Sequence, residues 1–262
     1  MTAPFSQLPA LILAAGRGER MRPLTDSTPK PLLSVQGRPL IVWHLEALAR
    51  DGVRDVVINT AHLEEQFPAA LGDGARWGLR LHYSMEGRDH GGALETAGGM
   101  AKALPLLGEA FWVLAGDVFV PGFRFEAAAA EAFASGDDWG QMWLVPNPAH
   151  VPQGDFALDA AGRVRRKNEA PAGTPAYTYS TIGLYRPAMV AGIQPGEKAA
   201  LRPSLERAID AGKLAGRLYT GPWVDVGTPQ RLAELNEGAP VATTALTSAS
   251  DAAPASRSAP SA

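Results

Sequence analysis

The chain has 262 residues, of which 46% are hydrophobic and 19% charged, with a formal net charge of -3 and no cysteine. Such a length and apolar share suit an α/β domain with a substantial core, whereas the small negative charge gives nucleic acid no footing. Without thiols there are no disulfides, thiolate metal sites or cysteine nucleophiles; without an apolar run of roughly 18 residues or a basic leader, a cytoplasmic protein with no membrane partner is expected.

In chain order, residues 1–7 carry no periodic pattern and are expected to be loose, and Ala10–Ala14 reads as a short apolar strand. A loop rich in glycine, arginine and proline follows. Leu40, Ile41, His44, Leu45 and Leu48 then recur at helical spacing, with Gly52 at the C-cap position. Asp55–Thr60 is a β-branched strand, Leu63–Leu71 a short helix limited by Pro68, and Leu79–Ser84 an alternating strand. After a loop over Glu86–Ala93 come a helix, Leu94–Leu104, and a buried strand, Phe111–Ala115, which ends at Gly116-Asp117. A helix near Phe125–Phe133 and a strand over Gly140–Val145 complete this alternation.

Beyond residue 150 the expected β segments are Phe156–Leu158, Val164–Arg166, Tyr177–Tyr185 and Leu218–Val226, with a helix near Leu201–Ala211. Residues 238–262 are rich in Ala, Ser, Thr and Pro and are expected to be disordered, leaving one domain over 8–237. Strand-helix alternation predicts a mostly parallel twisted sheet flanked by helices, with a small, partly antiparallel extension. Ligands in such sheets bind beyond the carboxyl ends of the strands, where both Gly16–Lys30 and Gly116-Asp117 fall.

The loop Gly16–Lys30 has the chemistry of a phosphate grip. Gly16 and Gly18 let backbone N–H groups approach phosphate oxygens, Arg20 offers a planar fork and Lys30 a compact charge. G-x-G alone is a weak signal: position 21 is Met, so the dinucleotide fingerprint fails, and no Walker A string exists. A nicotinamide-dependent dehydrogenase is therefore disfavoured. The histidines share no metal-ligand spacing, and Ser180 lacks a nucleophile elbow. His44 and the tryptophans other than Trp223 read as packing.

The full string GRGERMRPLTDSTPKPLL, with the turn Gly37-Arg38-Pro39-Leu40, resembles the signature of sugar-1-phosphate nucleotidylyltransferases. Members join a sugar 1-phosphate to a nucleoside triphosphate, release pyrophosphate, and share a Rossmann-like nucleotide-diphospho-sugar transferase fold. The resemblance implies that Gly16, Gly18 and Arg20 hold the triphosphate and that Lys30 neutralises the reacting α-phosphate, with Ala14 and Ala15 against the nucleoside. It places Leu94, Thr96 and Gly98 at the base and Gly154, Glu169 and Trp223 at the sugar, and makes Asp117 and Asp225 magnesium ligands. Two carboxylates holding a hard cation against phosphates is sound chemistry, and an ionised phosphate nucleophile needs no general base.

Less generic pieces, such as Val57-Ile58-Asn59 and Gly154-Asp155-Phe156, resemble the branch that acts on UTP and N-acetylmuramate 1-phosphate in peptidoglycan recycling. The resemblance spans about Leu11 to Leu235. Ala170 stands where many members have the lysine of Glu-Lys-Pro; Arg166 or Lys167 is the expected substitute. Arg38, Arg88, Arg165 and Arg166 are the candidate partners of an anionic sugar. The alternatives are a guanylyl- or thymidylyltransferase for mannose or glucose 1-phosphate, and a non-catalytic nucleotide-sugar-binding regulator.

Overall fold

A computed structural model describes residues 7–238. The expectations for residues 1–6 and 239–262 lie outside these. Gln7, expected to be loose, is anchored instead, with Nε2 donating to the Phe125 carbonyl at 2.7 Å.

Nine strands build the main sheet: β1 (Ala10–Leu13), β2 (Asp55–Thr60), β3 (Arg80–Met85), β4 (Phe111–Ala115), β5 (Gly140–Val145), β6 (Phe156–Leu158), β7 (Val164–Arg165), β8 (Ala176–Tyr185) and β9 (Leu214–Leu218). The order is β7-β6-β8-β4-β1-β2-β3, with β5 bonded to β8 and β9 to β5. β1, β2, β3 and β4 run parallel, as do β5 and β9.

β8 is antiparallel to β4, β5 and β6. A bulge between Tyr179 and Ile182 lets its last residues sit beside β4 while its first pair with β6. The expected antiparallel extension is thus continuous with the central sheet. One expected strand moves: Leu218–Val226 resolves into β9, a turn, and Val224–Asp225, which pairs with Val118–Phe119. The expected loop over Glu86–Ala93 contains a short helix, Glu86–His90.

The central strands are buried on both faces, as parallel strands under helices must be. Ala10 and Ile12 enter one core cluster with Ile41, Leu45 and the rings of Trp112, Phe123 and Phe125; Leu11 enters another with Met100, Leu205 and Ile209. The helix Leu40–Arg50 buries its apolar face in the first cluster, and helices Glu95–Ala103 and Leu201–Asp210 cover the second. A third cluster joins Met21, Trp43, Phe119, Val226 and Leu232. It ties the glycine-rich loop, the Val118–Phe119 pairing and the helix Pro229–Glu237 into one body, which fixes the geometry of the site.

Candidate active site

Strand order reverses beside β1: the chain proceeds from β1 to β2 and β3 on one side and returns with β4 on the other. Such a switch point opens a crevice between the loops leaving the two strands. Leu13 and Ala115 are in register there, and the Gly116 amide donates to the Leu13 carbonyl at 2.8 Å. A cavity of about 750 Å³ lies over this point.

The loop after β1 forms one wall. Gly18 has φ 69°, and a Cβ there would meet Thr25 Cγ2 at 3.0 Å and Lys30 Cβ at 3.3 Å, so only glycine fits comfortably. A Cβ on Gly16 would meet no protein atom within 4 Å, which leaves its backbone open to the cavity side. The Gly18 carbonyl accepts from the Met21 amide at 2.9 Å and the Thr25 hydroxyl at 2.9 Å, folding the loop back on itself. Ala14, Ala15, Gly16, Gly18, Arg20, Lys30, Thr96 and Asp117, all expected at the site, lie in the wall.

Lys30 is buried, and its Nζ reaches Asp117 Oδ2 at 2.7 Å. Asp225 follows one register step from Asp117: the Val226 amide donates to the Asp117 carbonyl at 2.9 Å, and Asp225 pairs with Val118. Asp225 itself is not in the wall. Its Oδ2 is held by Arg231 at 2.5 Å, and Oδ1 lies 2.9 Å from His150 Nε2 yet makes no hydrogen bond. Gly227, which is in the wall, lies between them and the loop: a Cβ there would sit 3.1 Å from Asp225 Oδ2 and 3.4 Å from Arg20 Nη2.

These features fit a hard divalent cation in part. Two carboxylates with phosphate and water oxygens make a typical magnesium shell, although Asp225 Oδ1 has His150 at 2.9 Å and Oδ2 has Arg231. Among the described residues no three His, Asp or Glu side chains are grouped to hold a metal alone. The phosphates would therefore have to complete the shell.

Five further expected residues do not line the cavity. Leu94 is buried, with its amide on Glu86 and its carbonyl accepting from Ala199. Gly98 packs beneath the 197–199 segment, where a Cβ would meet the Glu197 carbonyl at 2.2 Å. Gly154 (φ 61°) turns the chain one residue before the wall residues Asp155 and Phe156. Glu169 is drawn to Arg166 at 3.0 Å, and Trp223 directs Nε1 to the Ser180 carbonyl at 3.0 Å. Arg166 also pairs with Asp210, Lys167 donates to the Gly154 carbonyl, and neither lines the cavity.

The rest of the wall includes Asp155, Phe156, Tyr179, Thr181, Leu201, Arg202 and Leu205. Arg202 lies 4.7 Å over the Phe156 ring, and its Nε donates to Glu206 at 2.7 Å. None of the four arginines expected there lines the cavity: each is paired elsewhere, with Glu46, Asp89, Asp159 and Asp210 respectively. Tyr179, bonded to the Tyr185 hydroxyl at 2.7 Å, is pushed well up in pKa by burial and stays protonated. Thr181 lines the cavity without any signal in the sequence, and Asn59, also in the wall, stands out there only within the string Val57-Ile58-Asn59.

Residues 9–240 match the nucleotidyl transferase family. The chain is 47% identical over 231 residues to the N-acetylmuramate alpha-1-phosphate uridylyltransferase of Neisseria meningitidis, covering 86% of this chain and 95% of that one. It is 34% identical over 243 residues to the protein of the same name from Caulobacter vibrioides, again covering 86% and 95%. A Bacillus anthracis structure described as a glucose-1-phosphate thymidylyltransferase superposes with a TM-score of 0.72 at 21% identity, over 90% of this chain and 97% of that one. The chain belongs to the nucleotidyl transferase family and is a nucleotidyltransferase enzyme.

Proposed function

We propose that the chain transfers a uridylyl group from UTP to N-acetylmuramate 1-phosphate, giving UDP-N-acetylmuramate and pyrophosphate, as a cytoplasmic step of peptidoglycan recycling. The observation that carries this reading is one cavity bounded at one end by the glycine loop, Lys30 and Asp117 and elsewhere by Arg202. The relatives named above support the choice of uridylyl group and sugar.

An ionised oxygen of the sugar phosphate attacks the α-phosphorus, the bond to the bridging oxygen breaks, and pyrophosphate leaves with the electron pair. No proton moves, so the protein's task is alignment and charge neutralisation. The Gly16–Gly18 backbone and Arg20 grip the triphosphate, and Lys30 stands at the α-phosphate. Asp117 and Asp225 would hold magnesium, whose charge, when bound, draws the phosphate oxygens together. Arg202 faces the lactyl carboxylate that distinguishes this sugar; its terminal nitrogens make no hydrogen bond among the described residues.

A matrix of four nucleoside triphosphates against several sugar 1-phosphates, read by pyrophosphate release, tests the assignment. The highest kcat/KM is expected for UTP with N-acetylmuramate 1-phosphate. Arg202→Leu should raise KM for that sugar about tenfold or more while sparing N-acetylglucosamine 1-phosphate, because only the former presents a carboxylate. A preference for GTP or dTTP with a neutral hexose phosphate would support the rival transferases, and no turnover with any pair would support a binding regulator.

A further inference from the structure

A buried hydrogen-bond chain runs behind the nucleotide side of the cavity. The Ala14 amide, at the exit of β1, donates to Asn59 Oδ1 at 2.8 Å. Asn59 Nδ2 donates to Glu86 Oε1 at 2.7 Å, and Glu86 Oε2 accepts from the Leu94 amide at 2.8 Å. Glu86 is fully buried and Asn59 nearly so. Gly99 makes room for the contact, since a Cβ there would lie 2.6 Å from both Asn59 Nδ2 and Glu86 Oε1.

Every donor in this chain points toward Glu86, which accepts from both ends. Flipping the Asn59 amide would set its NH2 against the Ala14 N–H and its oxygen against Glu86, so the chain fixes the orientation of the amide. Burial pushes the Glu86 pKa up, while the bonds from the Leu94 amide and Asn59 favour its carboxylate form. The segment it holds is under strain: Glu95, next to Leu94, has φ 61°, an unfavourable angle for a residue with a side chain. Leu94 is pinned on its other side as well, its carbonyl accepting from Ala199 at 3.0 Å. Such strain persists only where the surroundings over-determine the backbone. Ala14, at one end of the chain, and Glu95, the residue after Leu94 at the other, both belong to the cavity wall.

We infer that Asn59 and Glu86 are positioning residues for the nucleoside triphosphate, a polarised clamp that fixes the separation between the exit of β1 and the start of helix Glu95–Ala103. The inference rests on the proposed function for the identity of the ligand but not for the clamp itself.

Inverting the chain tests it. Glu86→Gln must place an NH2 against either Asn59 Nδ2 or the Leu94 amide, and Asn59→Asp must place two carboxylates face to face. The double variant, Asn59→Asp with Glu86→Gln, restores a matched acceptor or donor at each of the three contacts and keeps one buried negative charge. Each single variant should raise KM for UTP about tenfold or more while KM for the sugar phosphate moves less than about threefold; the double variant should return KM for UTP to within about threefold of the parent. The dissociation constant of UTP and the melting temperature are measured alongside. Additive damage in the double variant, or single variants that bind UTP normally once folded, would overturn the clamp. A parent chain that binds UTP but never turns over would count against the proposed function, while the inversion pattern remains readable in binding and melting.

Discussion

Thr181 shows how a single residue can reveal a site that its sequence context conceals. It is β-branched yet has φ 64°, at the bulge where β8 parts from β4, and it lines the cavity. That conformation costs about 1–2 kcal/mol for an L-residue, against which glycine would lose about 0.5–1 kcal/mol to greater freedom in the unfolded chain. Thr181→Gly should therefore raise the melting temperature slightly and alter KM for the sugar phosphate; a lower melting temperature with unchanged KM would show that the strain serves only the fold. Gly16, Gly18, Lys30 and Asp117 could be read from sequence because local glycine and charge patterns encode them. Arg202 could not: it sits on an ordinary amphipathic helix, and only packing of that helix over Phe156 brings it to the cavity.

At the scale of elements, strands and helices were legible from apolar periodicity, and their positions held to within a few residues through β5. The Leu218–Val226 expectation failed as one strand because Tyr219 and Trp223 look β-like in sequence, although their apolar side chains pack at the turn between Leu218 and Val224. The helix Glu95–Ala103 carries two adjacent glycines, which propensity alone would penalise by about 1 kcal/mol each. Both are explained by close approach, Gly98 to the Glu197 carbonyl and Gly99 to the Asn59–Glu86 contact. Gly98→Ala should thus destabilise despite its better helix propensity, by about 1–3 kcal/mol of overpacking in urea unfolding. A neutral or stabilising result would mean that the 197–199 segment yields freely.

For the whole molecule, the feature with the widest consequence is His44, buried beneath the Val118–Phe119 strand. Burial lowers its pKa from 6.5 to about 4, with a hydrogen bond to the Val118 backbone and the charge of Asp117 acting weakly in the opposite direction. The native state keeps His44 neutral while the unfolded chain takes up a proton near its ordinary value, so stability falls as pH drops from about 6.5 to about 4 and levels off below. The loss is on the order of 3 kcal/mol, and His44→Asn should remove that slope in urea titrations even if it lowers stability at pH 7. An unchanged slope would assign the acid sensitivity to other groups.

The sheet order itself was inferable only as a class, because which strand pairs with which depends on contacts distant in sequence. That order is nonetheless what sets Asp117 beside Lys30 and Asp225 one pairing step away. The most direct measurement is pyrophosphate release from UTP and N-acetylmuramate 1-phosphate as magnesium is titrated into the parent chain, Asp117→Ala and Asp225→Ala. Release that requires both the metal and the sugar phosphate, and that falls by about a thousandfold or more in each variant, is the predicted result. Full activity without magnesium, or in either variant, would contradict it.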